Sequence, residues 1–469
     1  MEQIKGRKKE IKMFESLLNS SKSEFLVVYG RRRVGKTFLI REYFNYQFDF
    51  QISGLANGNT AQQLSHFHLT LGETDNMVYE KAPQNWLEAF QRLKANLSKS
   101  NSPKKVIFFD EMPWLDTAKS DFIMALESFW NGWATNRKDI LLIACGSAAS
   151  WIINELINNK GGLHNRVTMQ MKINSFSLKE TQEFLVSKYC NLDKYQIAEL
   201  YMTIGGLPYY LDFVKPGNSV AQIIENFFFT ENAPLKNEYQ NLYKSLFKKY
   251  EWHEKIVESL SKKLKGLTRK EIMQSSGLPS GGTFTRTLRE LEESGFITSY
   301  SSIDDNSKNS FYRLSDFYTS FYFRFIADSK FTGQGAWVNR IDNPTHRAWQ
   351  GYAFEQLCMA HVPQIKQGLG ISGVLSREAS WQNDKAQIDL VIERRDHVVN
   401  LCEMKFSMGK YLITKDYADN LRNKIHQFKE NTKTKNAVFL TFITTYGLEE
   451  NSHSLGLVQN QLLLEDLFV

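Results

Sequence analysis

The stretch Gly30-Arg31-Arg32-Arg33-Val34-Gly35-Lys36-Thr37 fits the pattern G-x-x-x-x-G-K-[ST] at every fixed position. It stands between an apolar run, EFLVVY, and a helical continuation, FLIREYF. That placement dictates a buried strand, a glycine-bounded turn, and a helix whose N-terminus presents its free N–H groups and positive dipole end to an anion. In such a turn Gly30 and Gly35 let the backbone wrap phosphates, Lys36 supplies a cation to the β and γ phosphates of a nucleotide, and the Thr37 hydroxyl is a ligand for Mg²⁺.

Two further apolar runs, VIFFDE at 106–111 and ILLIACGS at 140–147, lack polar alternation and are separated by helical stretches such as PQNWLEAFQRLKANL. Strands of that kind belong to a parallel sheet covered on both faces, so the N-terminal part is expected to be α/β. Asp110 falls at the strand end where an open sheet presents its ligand crevice, and is a candidate to hold Mg²⁺ through water. Glu111, beside it, is placed to orient and deprotonate an attacking water, which favours hydrolysis of ATP over binding alone.

At 469 residues the chain is long enough for about three folding units. No run of eighteen apolar residues occurs and the N-terminus, MEQIKGRKKE, is charged from its second residue, so neither a membrane span nor a secretory signal is expected and the location is read as cytoplasmic. Cys145, Cys190, Cys358 and Cys402 form no CxxC pair, against a disulfide framework or a structural zinc site. His361 and His426 lack paired spacing and read as surface or core residues. The net charge of +7 is concentrated in the middle: residues 235–330 carry 16 basic and 12 acidic groups, against 27 and 24 in 1–234 and 15 and 15 in 331–469. A nucleic acid would meet that middle segment first.

The N-terminal half resembles the archaeal-type ATPase family within the AAA+ and STAND class of P-loop NTPases. The resemblance rests on KGRKKEIKMFESLL, GRRRVGKT, FFDEMPW, the strand ending CGSAASW, GLHNRV and TIGGLPYYL. It implies a P-loop ATPase core over 1–170 and a helical lid over 171–234, with ATP and Mg²⁺ as cofactors. It also implies Ser147 as the polar sensor of the γ-phosphate, and Arg166 as an arginine neutralising transition-state charge in cis or across a subunit interface. Pro208, in GGLP, would lie near the adenine.

Within 235–330, TRKEIMQSSGL, GGTFTRTLRELEESGFI and a strand pair around SIDDNSKNS resemble a winged helix-turn-helix. Thr283, Thr285, Arg286 and Arg289 would then face DNA. Asp304 and Asp305 in the wing speak for the alternative, a lid or protein dock.

Within 331–469, residues two apart in a strand share a face, so Glu403 and Lys405 project together, and the hairpin brings Asp389 alongside. Asp389 and Glu403 are candidates to hold Mg²⁺ at a scissile phosphate and Lys405 to position the attacking water. The pattern resembles the PD-(D/E)XK nuclease class, an α/β restriction-endonuclease-like fold, and Glu355 in GYAFE matches an additional acid that some members supply. Two functions stay open: an ATP-driven switch for a DNA-directed nuclease, or a nucleotide-dependent regulator or scaffold whose C-terminal parts only bind DNA or protein. A partner protein or a second copy of the chain is compatible with either.

Overall fold

The computed structural model describes residues 4–75, 81–159, 161–247, 249–263, 265–300, 303, 310–327, 329, 333 and 335–469. They form two compact units, 1–175 and 176–469.

In the first unit, strands β1 (Glu24–Tyr29), β2 (Phe50–Ser53), β3 (Lys105–Asp110), β4 (Ile140–Gly146) and β5 (Met169–Lys172) form one sheet in the order β2-β3-β4-β1-β5. Every pairing is parallel. β1, β3 and β4 are apolar because both faces are covered. On one face, helices Thr60–Asp75, Trp86–Lys99 and Phe122–Gly132 pack Phe67, Trp86, Phe90, Phe129 and Trp130 against Phe25, Phe50, Ile107 and Leu142. On the other, Phe14 of helix Lys8–Leu18 stacks on Tyr43 of helix Lys36–Tyr43 at 4.7 Å. Because β4 lies between β1 and β3, the carboxyl ends of these three strands converge, and with them the turn after β1, Ser147 and the pair Asp110–Glu111.

The second unit holds helices Leu178–Ser187, Lys194–Ile204 and Val220–Phe228 within the expected lid segment. Helices Arg269–Ser276 and Gly282–Glu293 follow, accompanied by an antiparallel sheet of β6 (Leu267–Thr268), β7 (Ile297–Tyr300) and β8 (Phe311–Leu314). Farther along, β9 (Ser376–Gln382), β10 (Gln387–Arg394), β11 (Val398–Lys405), β12 (Ala437–Thr444) and β13 (Asn460–Leu463) form a mixed sheet in the order β13-β12-β11-β10-β9. Its core joins Val399, Leu401 and Phe442 to Leu421 and Phe428 of helix Lys415–Thr432. Asp304 and Asp305 lie outside the described residues. Ile303, between β7 and β8, donates its N–H to the Ser380 carbonyl of edge strand β9 at 3.1 Å and packs against this core.

Candidate functional site

The turn after β1 is shaped by its glycines. Gly30 has φ 147°, and a Cβ there would stand 2.2 Å from the Ile173 carbonyl oxygen, so no larger residue fits without moving backbone. Gly35, at φ 84°, turns the chain into helix Lys36–Tyr43. Buried Arg7 braces the turn by donating from Nη2 to the Val34 carbonyl at 3.0 Å.

Lys36 Nζ donates to the carbonyls of Gly30 at 2.9 Å and Arg31 at 3.0 Å, and to Ser147 Oγ at 3.0 Å. Burial pulls its pKa down, and the neighbouring Cys145, Glu111 and Asp110 oppose that. Ser147 is the hub of the network, because its Oγ–H donates to Glu111 Oε1 at 2.7 Å and its N–H to Oε2 at 3.2 Å. Glu111 adopts φ 44°, a left-handed conformation that costs a non-glycine residue on the order of 1–3 kcal/mol. Trp114 N–H on its carbonyl at 3.0 Å, and its own N–H on Asp110 Oδ1 at 3.1 Å, hold it there.

Asp110 Oδ1 also accepts from Thr37 Oγ1 at 3.0 Å. Burial raises the Asp110 pKa and the Glu111 charge adds to it, while Thr37, Arg41 and the Glu111 N–H act in the opposite direction. A hydroxyl and a carboxylate side by side are hard oxygen donors, and Mg²⁺ needs only one or two from protein when phosphates supply the rest. These residues therefore fit the ion. Arg166 is exposed in a turn, outside the Lys36–Ser147–Glu111 network, and Pro208 opens the short helix Pro208–Leu211 of the second unit.

In the second unit, Glu403 and Lys405 do share a face and form an ion pair at 2.8 Å. Helix Lys415–Thr432 adds two side chains that the sequence reading missed: Lys424 Nζ on Glu403 Oε2 at 2.8 Å and Tyr417 Oη on Oε1 at 2.6 Å. Burial alone would raise the Glu403 pKa, but the charges of Lys405 and Lys424 outweigh it and bring the group to about 2.

Asp389 and Glu355 line a cavity of about 40 Å³ with Arg313 and Lys265. Burial, reinforced by Asp389, pushes Glu355 up to about 8, with Lys405 opposing the shift. The pairing of β10 with β9 shifts register between Ile388 and Val391, next to Asp389. Among the described residues, no group of three or more His, Cys, Asp or Glu side chains is arranged to hold a metal ion. Glu355 feels the charges of Asp389, Lys405 and Glu403, so the four side chains lie within electrostatic reach of one another; Glu403 is bonded to two lysines and a tyrosine, and Asp389 accepts from Gln387 Nε2 at 2.7 Å.

Thr283, Thr285, Arg286 and Arg289 are exposed on helix Gly282–Glu293, and the two arginines lie 3.7 Å from Glu290 and Glu293.

Residues 5–214 match the family described as an ATPase domain predominantly from Archaea. The uncharacterized protein MJECL04 of Methanocaldococcus jannaschii is 24% identical over 388 residues, covering 82% of this chain and 83% of that protein. An uncharacterized ATP-binding protein of the same organism, MJ0423, is 46% identical over 38 residues, which is 8% of this chain and 64% of the relative. Among solved structures, the Walker-type ATPase PABY2304 of Pyrococcus abyssi aligns over 69% of this chain and 97% of its own, at 15% identity and a TM-score of 0.49. The Aeropyrum pernix ORC2 protein aligns over 66% and 90%, at 13% identity and a TM-score of 0.42.

Proposed function

We propose, on the premise that the chain carries an ATPase domain at residues 5–214, that it is a Mg²⁺-dependent ATPase whose turnover switches the action of its second unit on DNA. The observation that carries this reading is the bonded series Lys36–Ser147–Glu111, which links the phosphate-binding lysine to the carboxylate beside Asp110. A nucleotide's β and γ phosphate oxygens would replace the Gly30 and Arg31 carbonyls as acceptors for Lys36. Thr37 and Asp110 would hold Mg²⁺, which neutralises charge between those phosphates. Glu111 would orient the attacking water and take its proton. Ser147, bonded to both Lys36 and Glu111, would report whether the γ-phosphate is present. Arg166, exposed in its turn, would neutralise transition-state charge in cis or across a subunit interface.

For the second unit, a winged helix and a nuclease-like domain remain the reading of the sequence pattern. The commitment of Glu403 to Lys405 and Lys424 favours the version in which that unit binds DNA or protein without cutting. The hydrogen bond from Ile303 to β9 favours the lid or docking alternative for that residue, leaving the exposed face of helix Gly282–Glu293 for phosphates.

Purified protein is expected to release phosphate from ATP only with Mg²⁺, and to bind plasmid or single-stranded DNA without cleaving it. Absence of Mg²⁺-dependent phosphate release would overturn the ATPase reading, and Mg²⁺-dependent cleavage abolished by Glu403→Ala would restore the nuclease. Arg286→Ala with Arg289→Ala is expected to flatten the salt dependence of DNA binding by roughly 0.9 in log–log slope for each phosphate left without its arginine. An unchanged slope would assign that helix to docking.

A further inference from the structure

β2 is the edge strand of the first sheet, and its side chains alternate. Phe50 and Ile52 enter the core, whereas Gln51 and Ser53 share the opposite face. The parallel register sets Ser53 beside Asp110 and Gln51 beside Phe108. Ser53 Oγ donates to Asp110 Oδ2 at 3.3 Å. From helix Lys36–Tyr43, one turn beyond Thr37, Arg41 brings Nη2 to 3.8 Å from the same oxygen. With the Gln51 amide oxygen turned toward it, that guanidinium donates from Nε at 3.2 Å and Nη2 at 2.9 Å, which fixes its plane.

The two oxygens of Asp110 are thus divided. Oδ1 meets Thr37 and the Glu111 N–H, and Oδ2 meets Ser53 and Arg41. A buried carboxylate free to rotate about its terminal torsion would present either oxygen; one held on its far side by a cation and a hydroxyl presents a single one. We propose that Arg41, seated by Gln51 and assisted by Ser53, is a positioning residue that holds Asp110 Oδ2 so that Oδ1 and Thr37 Oγ1 are turned together toward the Mg²⁺ of a bound nucleotide. The inference rests on the ATPase reading and adds residues to its site. Arg41 touches neither phosphate nor water in this role, and acts only through Asp110.

The test compares parent, Arg41→Ala, Arg41→Lys and Ser53→Ala in two assays. One is the affinity for a fluorescent ATP analogue in EDTA and across a Mg²⁺ titration. The other is binding of Mn²⁺ to the protein–nucleotide complex, read by electron paramagnetic resonance. Arg41→Ala is expected to keep the parental affinity in EDTA and to need roughly 10–100-fold more Mg²⁺ or Mn²⁺, the usual cost of losing a group that orients a metal ligand. Arg41→Lys is expected to recover most of that loss, and Ser53→Ala to shift the metal requirement less, in the same direction.

An unchanged metal requirement in Arg41→Ala would overturn the assignment, as would equal loss of affinity in EDTA and in Mg²⁺. Should Arg41→Ala lose its thermal transition, Ser53→Ala decides: a metal shift supports the assignment and none overturns it. A parent that binds Mn²⁺ with nucleotide but hydrolyses nothing would end the ATPase reading and leave the Arg41 assignment to stand or fall on the metal titration.

Discussion

Lys36→Ala is expected to lower ATP affinity on the order of 100-fold or more, because truncating a buried, hydrogen-bonded charge pair costs about 2–5 kcal/mol and each 1.4 kcal/mol is tenfold. Few side chains could take over the role, since Nζ is aimed by two backbone carbonyls of the same turn and by Ser147. Titration calorimetry with ATP measures the loss, and circular dichroism separates it from unfolding. Binding within threefold of the parent would mean that the phosphates are held elsewhere.

In the second unit the largest effect is expected from Glu403→Gln. The carboxylate is buried and balances Lys405 and Lys424, and removing one member of a buried ion pair strands the others at about 3–5 kcal/mol. The pH dependence has a definite sign. Glu403 lies at about 2 in the fold against 4.5 for an unperturbed glutamate, so its contribution is complete above pH 4.5 and is lost as the pH falls from there toward 2. Glu355 acts in the opposite sense: with its pKa raised to about 8, it disfavours the fold progressively as the pH rises from 4.5. Urea unfolding at pH 7 and pH 3.5 checks the Glu403 prediction. The variant should be much weaker than the parent at pH 7 and closer to it at pH 3.5, and equal stability at both would remove the pair from the account.

Why some of these residues are legible in the sequence and others are not follows from distance along the chain. Gly30, Gly35, Lys36 and Thr37 form one contiguous turn, and Asp110, Glu111 and Ser147 end apolar runs that announce themselves as strands. Arg41, Gln51 and Ser53 carry no such mark: β2 has four residues, too short for a pattern, and its pairing with β3 is settled only by the folded sheet. Arg7 reaches the Val34 carbonyl across 27 residues, and only the packing of its helix shows that it braces the phosphate turn.

In the C-terminal sheet, the alternation of β11 correctly joined Glu403 to Lys405, since strand period is local. It could not reveal Tyr417 and Lys424, which arrive on a helix 14 and 21 residues away and surround Glu403 with further hydrogen-bond and ion-pair partners. The local register shift in β10 between Ile388 and Val391, beside Asp389, likewise left no sequence signal.

The most direct test of the central claim is phosphate release by Glu111→Gln beside the parent at saturating Mg²⁺ and ATP, with binding measured in the same samples. Glutamine keeps the size of the side chain and an oxygen for Ser147 but cannot accept the water's proton, so ATP affinity should stay within a few-fold of the parent. Turnover should fall by about 10²–10⁴, the contribution typical of a positioned general base. Hydrolysis by Glu111→Gln at the parental rate would contradict the account, because Glu111 would then not be the group that activates water.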